Sequence, residues 1–189
     1  MSNRQALASA HDLDLVTLGA TGDRAAFGEL VRRHGAAVRG LLRRMGADGA
    51  SADDVAQDAF LAAFEQIAEF RGEGAFRTWV SRIAARLYAK RWRREARAGL
   101  LDEAADQPAQ GRGADARIDL DDAMKSLSEP ERVCVSLCYG VGLSHAEAAL
   151  ALNAPLGTVK SHVKRGLDRL RRILAPGRDF GGAEARIHG

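Results

Sequence analysis

The chain has 189 residues, 46% of them hydrophobic, with 28 Lys and Arg against 25 Asp and Glu and a net charge of +3. That length holds one domain or two small ones, the composition excludes a disordered chain, and a nearly balanced total means that charge must be read by position. The first residues, Met-Ser-Asn-Arg-Gln-Ala-Leu, lack the apolar core of a signal peptide, and no apolar run is long enough to span a bilayer, so a cytoplasmic protein without membrane insertion is expected.

Residues 1–11 read as a loose start, and a first helix is expected over 12–20 with Leu13, Val16 and Leu18 inward, ended by Gly22. Asp23 is placed to cap the next helix, in which Phe27, Leu30, Val31, His34, Val38, Leu41, Leu42 and Met45 form a stripe at helical period. His34 inside that stripe reads as a core or boundary histidine. After the break at 46–50, Ser51 and Asp54 suggest the start of a third helix running through Val55, Ala59, Phe60, Ala63, Phe64, Ile67 and Phe70. Its first turns carry Asp53, Asp54 and Asp58, which suit the positive end of a helix dipole and lack the further ligands that a metal or acid–base site needs.

A turn at 71–74 leads into a helix over 76–97, with Phe76, Trp79, Val80, Ile83 and Leu87 inward. Arg77, Arg82, Arg86, Lys90, Arg91, Arg93, Arg94 and Arg97 crowd the remainder, offset only by Glu95, and Tyr88 and Trp92 lie among them. Flat rings between cationic groups suit unstacked bases and phosphates, whereas the structural alternative is a basic helix solvating one side of a bundle with Trp79 and Tyr88 in its core. Residues 99–117 then lose helical periodicity and read as a flexible linker, which would average about 25 Å end to end and reach about 60 Å extended.

Beyond the linker, 118–127 reads as a short helix with Leu120, Met124 and Leu127 inward, and Ser128 with Glu131 has the form of a capping box opening a helix through Val133, Cys134, Leu137 and Cys138. The two cysteines read as buried core thiols, because nothing nearby completes a zinc pattern. No metal and no cofactor is expected. Ser144 and Glu147 form another capping box before Ala148, Ala149 and Leu152; 153–157, with Pro155 and Gly157, breaks that helix. Thr158 is placed to cap a second one, in which Val159, Val163, Leu167, Leu170 and Leu174 recur at helical spacing. Thr158, Lys160, Ser161, His162, Lys164 and Arg165 lie in its first turns, where a recognition helix presents donors to a major groove. The stretch 142–174 therefore reads as a helix-turn-helix, and 176–189 as a mobile tail. The fold class expected is all-α: two small helical domains joined by a flexible linker, the C-terminal one containing the helix-turn-helix.

In this order the pieces resemble an extracytoplasmic-function sigma factor, the small two-domain class of the bacterial sigma factor family. The resemblance covers about residues 12–175 and rests on Asp53-Asp54-Val55-Ala56-Gln57-Asp58-Ala59-Phe60, on Phe70-Arg71-Gly72 with the nine residues from Phe76 to Ala84, and on Gly157-Thr158-Val159-Lys160-Ser161. It implies that the protein is not an enzyme, that it joins core RNA polymerase and directs it to promoter DNA, and that it helps open the duplex. On this resemblance, residues 1–98 correspond to a region 2 domain and 118–175 to a region 4 domain. Asp53, Asp54, Gln57 and Asp58 would dock on the polymerase clamp. Trp79, Arg82, Arg86, Tyr88, Lys90, Arg91, Trp92, Arg93 and Arg94 would handle the minus-ten element and its melted strand, and the second helix of the C-terminal motif would enter the minus-thirty-five major groove. An anti-sigma factor is a further implied partner.

The sequence departs from the family where Arg86 replaces a common asparagine that helps capture a flipped base, and where Lys90 replaces a frequent acidic residue. His162 stands where arginine is common and Gly166 where alanine is common, the latter expected to soften the recognition helix by about 1 kcal/mol. Two other readings stay open at this point: a stand-alone helix-turn-helix regulator, and a protein-interaction module whose basic faces bind an acidic regulator.

Overall fold

The computed structural model describes residues 3–72, 74–98 and 120–174, and all regular structure in them is helical. The linker expected at 99–117 and the tail at 176–189 lie outside the described residues. In chain order the helices are α1 (Asn3–Ser9), α2 (Asp12–Ala20), α3 (Arg24–Met45), α4 (Gly49–Glu65), α5 (Phe76–Arg97), α6 (Leu120–Lys125), α7 (Glu129–Val135), α8 (His145–Leu152) and α9 (Leu156–Leu174), with a 3-10 turn at Ile67–Glu69 and a π turn at Ser136–Gly140.

The three long helices of the N-terminal half pack through small residues. Ala52, Ala59 and Ala63 of α4 and Ala84, Ala85 and Ala89 of α5 have no exposed surface, so helix backbones approach closely around Leu30, Val38, Leu42 and Val80. α3 starts as expected: the Asp23 carboxylate accepts from the N–H groups of Ala25 (2.8 Å) and Ala26 (3.1 Å). It ends at Gly46, whose φ of 116° lets Ala47 N–H reach Leu42 O at 3.0 Å. The start of α4 moves upstream of the Ser51 and Asp54 expected from sequence, because Asp48 is the cap, its carboxylate accepting from Ser51 N–H at 2.7 Å. That bond is also the main reason the Asp48 carboxyl is held below the usual range.

Within the stretch expected as a loose start, residues 3–11 are ordered. Arg33 reaches back from α3 and donates to Leu7 O (2.9 Å), Ala8 O (3.0 Å), Ala10 O (2.8 Å) and Asp12 Oδ1 (3.0 Å), which satisfies the carbonyls left open at the end of α1 and buries Leu7. The inward face of α2 is also corrected: Leu15, Val16 and Gly19 are buried, while Leu13 is 54% and Leu18 40% exposed. His34 is half-buried, its Nε2 2.7 Å from Asp12 Oδ2.

In the C-terminal half, α7 gives way after Val135 to the π turn, so the single helix expected through Cys138 is interrupted. Met124 and Leu127 are buried as expected, but Leu120 is exposed. Cys134 is buried as expected but Cys138 only half-buried, and burial raises both thiols, Cys134 to about 12 and Cys138 to about 11. The two halves of the chain also touch: Leu41 of α3 lies against Gly140, Arg132 of α7 lies over Gly46, and one continuous apolar cluster runs from Leu7 to Val163.

Candidate nucleic-acid interface

α8 and α9 form the expected helix-turn-helix. Ser144 Oγ accepts from Glu147 N–H at 3.2 Å and Glu147 Oε2 accepts from Ser144 N–H at 2.8 Å, the reciprocal pair of a capping box. Asn153, in the left-handed region at φ 46°, ends α8. α9 begins at Leu156, earlier than expected: Pro155 O accepts from the N–H groups of Thr158 (3.0 Å) and Val159 (3.2 Å), so Thr158 sits inside the first turn and does not cap it, and Gly157 belongs to the helix.

Val159, Val163, Gly166 and Leu170 are buried, whereas Thr158, Lys160, Ser161, Lys164 and Arg165 are exposed and His162 is half-buried beside them. The sequence-predicted donors are thus brought together on one face of the recognition helix. Ser161 Oγ donates to Gly157 O at 2.8 Å, and His162 Nδ1 lies 3.0 Å from Arg165 Nη2.

Glu131, which sequence reading assigned only to a capping box, anchors this helix. Its side chain is 6% exposed; Oε2 accepts from Ser128 N–H at 3.2 Å and from Arg169 Nη1 at 2.9 Å, and Oε1 lies 3.7 Å from Arg165 Nε. A carboxylate in a capping position was the only signal for it. Gly166 also has a role that its softness in a helix concealed. A Cβ added there would stand 2.7 Å from Val135 Cγ2 and 3.4 Å from Glu131 Cβ, so the missing side chain is what lets α9 lie on α7.

α5 presents its basic residues less uniformly. Lys90 and Arg94 are exposed and Arg93 is half-buried. Arg91 Nε donates to Glu95 Oε1 at 2.8 Å and Arg91 Nη1 lies 4.0 Å from Asp54 Oδ2. Arg82 donates from Nε to Val141 O at 3.3 Å and from Nη2 to Gly142 O at 3.1 Å, and Arg86 Nη2 is 3.9 Å from Glu147 Oε1. The aromatic residues expected to stack on bases are drawn inward in this conformation. Tyr88 is 5% exposed and its hydroxyl is pushed up chiefly by burial; Trp79 packs on Phe70 and Phe76 with ring centroids 5.4 and 5.7 Å away; Trp92 is half-buried with its Nε1 enclosed and unpartnered.

Asp53, Asp54, Gln57 and Asp58 share one exposed face of α4. Asp53 Oδ1 lies 3.6 Å from Arg39 Nε. Beside them an open groove of about 710 Å³ runs between α3 and α4, lined by Phe27, Val31, Phe60, Leu61 and Phe64, with Leu61 57% exposed. Sequence reading missed this groove; an exposed leucine four residues after Gln57, on an otherwise polar face, was its signal. Among the described residues no cluster of His, Cys, Asp and Glu could hold a metal ion.

Residues 30–98 match the family Sigma-70 region 2 and residues 117–170 match Sigma-70, region 4. The chain is 34% identical over 175 residues to the RNA polymerase sigma factor NccH of Alcaligenes xylosoxydans xylosoxydans, covering 86% of this chain and 94% of that one. It is 34% identical over 168 residues to the ECF RNA polymerase sigma factor SigM of Mycobacterium tuberculosis strain H37Rv, covering 86% and 84%. It belongs to the extracytoplasmic-function sigma factors. A solved structure of CnrH in complex with the cytosolic domain of CnrY matches this sigma factor with a TM-score of 0.50 at 29% identity, covering 88% of this chain and 99% of that one. The acidic face of α4 and the basic face of α5 both fall within the region 2 match of the sigma factor, and α7, α8 and the first turns of α9 within its region 4 match. No described helix is long and apolar enough to cross a membrane.

Proposed function

We propose that this sigma factor binds core RNA polymerase through the acidic face and apolar groove of α4, directs it to promoters whose minus-thirty-five element is read by α9, and uses α5 at the minus-ten element during melting. Residues 1–98 serve polymerase and minus-ten binding, and 118–175 serve the upstream element. The protein contributes binding and positioning in the cytoplasm, and the chemistry of RNA synthesis belongs to the polymerase. The relative CnrH is known in complex with CnrY, which supports control of this chain by an anti-sigma partner as well.

The observation that carries the reading is the pairing, on one chain, of an exposed acidic helix face with a separate recognition helix whose exposed face gathers Thr158, Lys160, Ser161, Lys164 and Arg165. A duplex reader with no polymerase contact has no need of the former. Bidentate contacts from α9 contribute about 1 to 3 kcal/mol of discrimination each, and stacked or phosphate-bound single strand along α5 contributes comparable amounts per base. Run-off transcription with purified core polymerase on a randomised promoter library tests this: template-specific initiation is expected, and failure to bind core polymerase overturns the assignment.

A further inference from the structure

The buried stripe of α9 runs through Val159, Val163, Gly166 and Leu170. One step further toward the N-terminus the same spacing falls on Leu156, the first residue of the helix, where the core has ended: Leu156 is 42% exposed. Residues four apart on a helix share a side, so Leu156 also heads the row that continues through Lys160 and Lys164, both exposed. Gly157 and Thr158 beside it are exposed too, and nothing lies within 4 Å of a Cβ built on Gly157. An apolar side chain therefore stands in open space at the leading end of α9, among hydroxyl and ammonium groups that suit a nucleic acid. Helical side chains lean toward the N-terminus, which carries this one ahead of the first turn, the part of a recognition helix that meets base edges.

What a leucine can meet in a major groove is narrow. Guanine, cytosine and adenine present only hydrogen-bond donors and acceptors there, which an apolar side chain would strip of water and leave unpaired. Thymine alone adds an apolar group, its C5 methyl. A protein partner fits less well, since a stable interface takes about 800 Å² on each side and the residues flanking Leu156 on α9 are polar. Leu150, 80% exposed, is not assigned in the same way, because its helix α8 carries no Lys or Arg to set it against a duplex.

We propose that Leu156 is a specificity-determining residue of the recognition helix, reading one T·A pair of the minus-thirty-five element through the C5 methyl of its thymine, a role that rests on the reading of α9 as the helix that binds this element. Lys160, Ser161, Lys164 and Arg165 supply the polar contacts alongside. Burying one methyl group contributes about fourfold in affinity. That is small beside the polar contacts, but it is confined to a single base pair, so it acts on the choice of site more than on the strength of binding.

The test uses holoenzyme assembled from the full chain and core polymerase, on a promoter selected from the randomised library. Each thymine of the minus-thirty-five element, on either strand, is replaced in turn by deoxyuridine, which keeps the base pairing and removes only the methyl, and binding is measured by competition against the unmodified promoter. At one position wild type is expected to bind about fourfold more weakly, and with Leu156→Ala the same replacement is expected to cost nothing. Leu156→Met, which keeps an apolar side chain, should retain the cost. An element with no T·A pair, a flat scan in wild type, or a cost that survives Leu156→Ala each overturns the proposal; the scan on wild type involves no variant and so no question of folding. Thr158→Ser removes the other exposed methyl of the first turn: whatever it does to overall affinity, the deoxyuridine cost should persist, and its loss would transfer the contact to Thr158 and overturn the assignment to Leu156. A flat scan while Arg165→Ala still alters the preferred minus-thirty-five sequence overturns this inference alone. An upstream preference indifferent to both Leu156→Ala and Arg165→Ala overturns the reading of α9 and this inference with it.

Discussion

Gly166→Ala sets two effects of similar size against each other. In an open helix position alanine is favoured over glycine by about 1 kcal/mol. At Gly166, however, the new Cβ would stand 2.7 Å from Val135 Cγ2, and Val135 is itself 4% exposed. Retreat of α9 is resisted because Glu131, 3.4 Å from the same Cβ, is tied to Arg169 at 2.9 Å. Overpacking of this kind costs about 1 to 3 kcal/mol, so the net expectation is a loss of about 1 kcal/mol, or about 4 to 8 °C in Tm for a domain of this size. Gly157→Ala is the control on the same helix, since nothing lies within 4 Å of its would-be Cβ, and it is expected to stabilise. Urea titrations followed by circular dichroism read both, and adding Val135→Ala should turn Gly166→Ala favourable as the collision disappears. If Gly166→Ala stabilises as much as Gly157→Ala, the close approach of α7 and α9 is refuted.

Removing the buried carboxylate by Glu131→Ala strands Ser128 N–H and Arg169. Breaking a buried pair costs about 3 to 5 kcal/mol, and with Arg169 27% exposed the expectation falls to about 2 to 3 kcal/mol by urea denaturation; Glu131→Gln, which still fits a capping box, should lose less. Glu29 accepts from Arg32 and Arg33, which lowers its pKa from 4.5 to about 2. A depressed folded value contributes stability that is present above 4.5 and lost as pH falls toward 2, so thermal melts between pH 5 and pH 2 should be less pH-dependent in Glu29→Gln than in wild type. Asp58→Lys should weaken core-polymerase binding at least tenfold, about 1.4 kcal/mol, in surface-bound titrations with far-ultraviolet dichroism unchanged. Arg86→Ala should change the preferred minus-ten sequence in run-off assays while leaving core affinity within twofold, since a single exposed cation is at stake.

How much of this was legible depended on whether a residue's environment came from its own helix. The stripe from Phe27 to Met45 and that from Val159 to Leu170 were readable because burial on a long amphipathic helix follows its period. α2 was misphased for a reason internal to its sequence: Leu13, Leu15, Val16 and Leu18 lie all around a nine-residue helix, so apolar period alone does not choose Leu15 and Val16 over the other two. α1 was invisible because its last carbonyls, Leu7 O and Ala8 O, are satisfied from 26 and 25 residues away by Arg33. Gly166 read as a weak helix former because its partner Val135 lies on another element. Among the site residues, the exposed set on α4 and α9 followed from charge on a helix face. Tyr88 did not: it stands among basic residues in the sequence yet is 5% exposed, on the same inward side as Ala84, Ala85 and Ala89.

The same logic explains why α5 carries its charge as it does. Arg82, Arg86, Lys90 and Arg94 follow one another at four-residue spacing, a row of like charges about 6 Å apart along the helix. Each such pair opposes helix formation by about 0.2 to 0.5 kcal/mol, so the row costs about 1 kcal/mol in isolation. What keeps α5 helical is the opposite side, where Phe76, Val80, Ala84, Ala85, Tyr88 and Ala89 are buried. The repulsion is stored by packing and is relieved wherever negative groups meet the row. Within the chain Glu147 and the carbonyls of Val141 and Gly142 do this for the first two members only, while Lys90 and Arg94 stay exposed. A phosphate backbone can meet all four. On the proposed reading the row therefore favours a phosphate backbone over the chain's own loop, which meets only two of its four members.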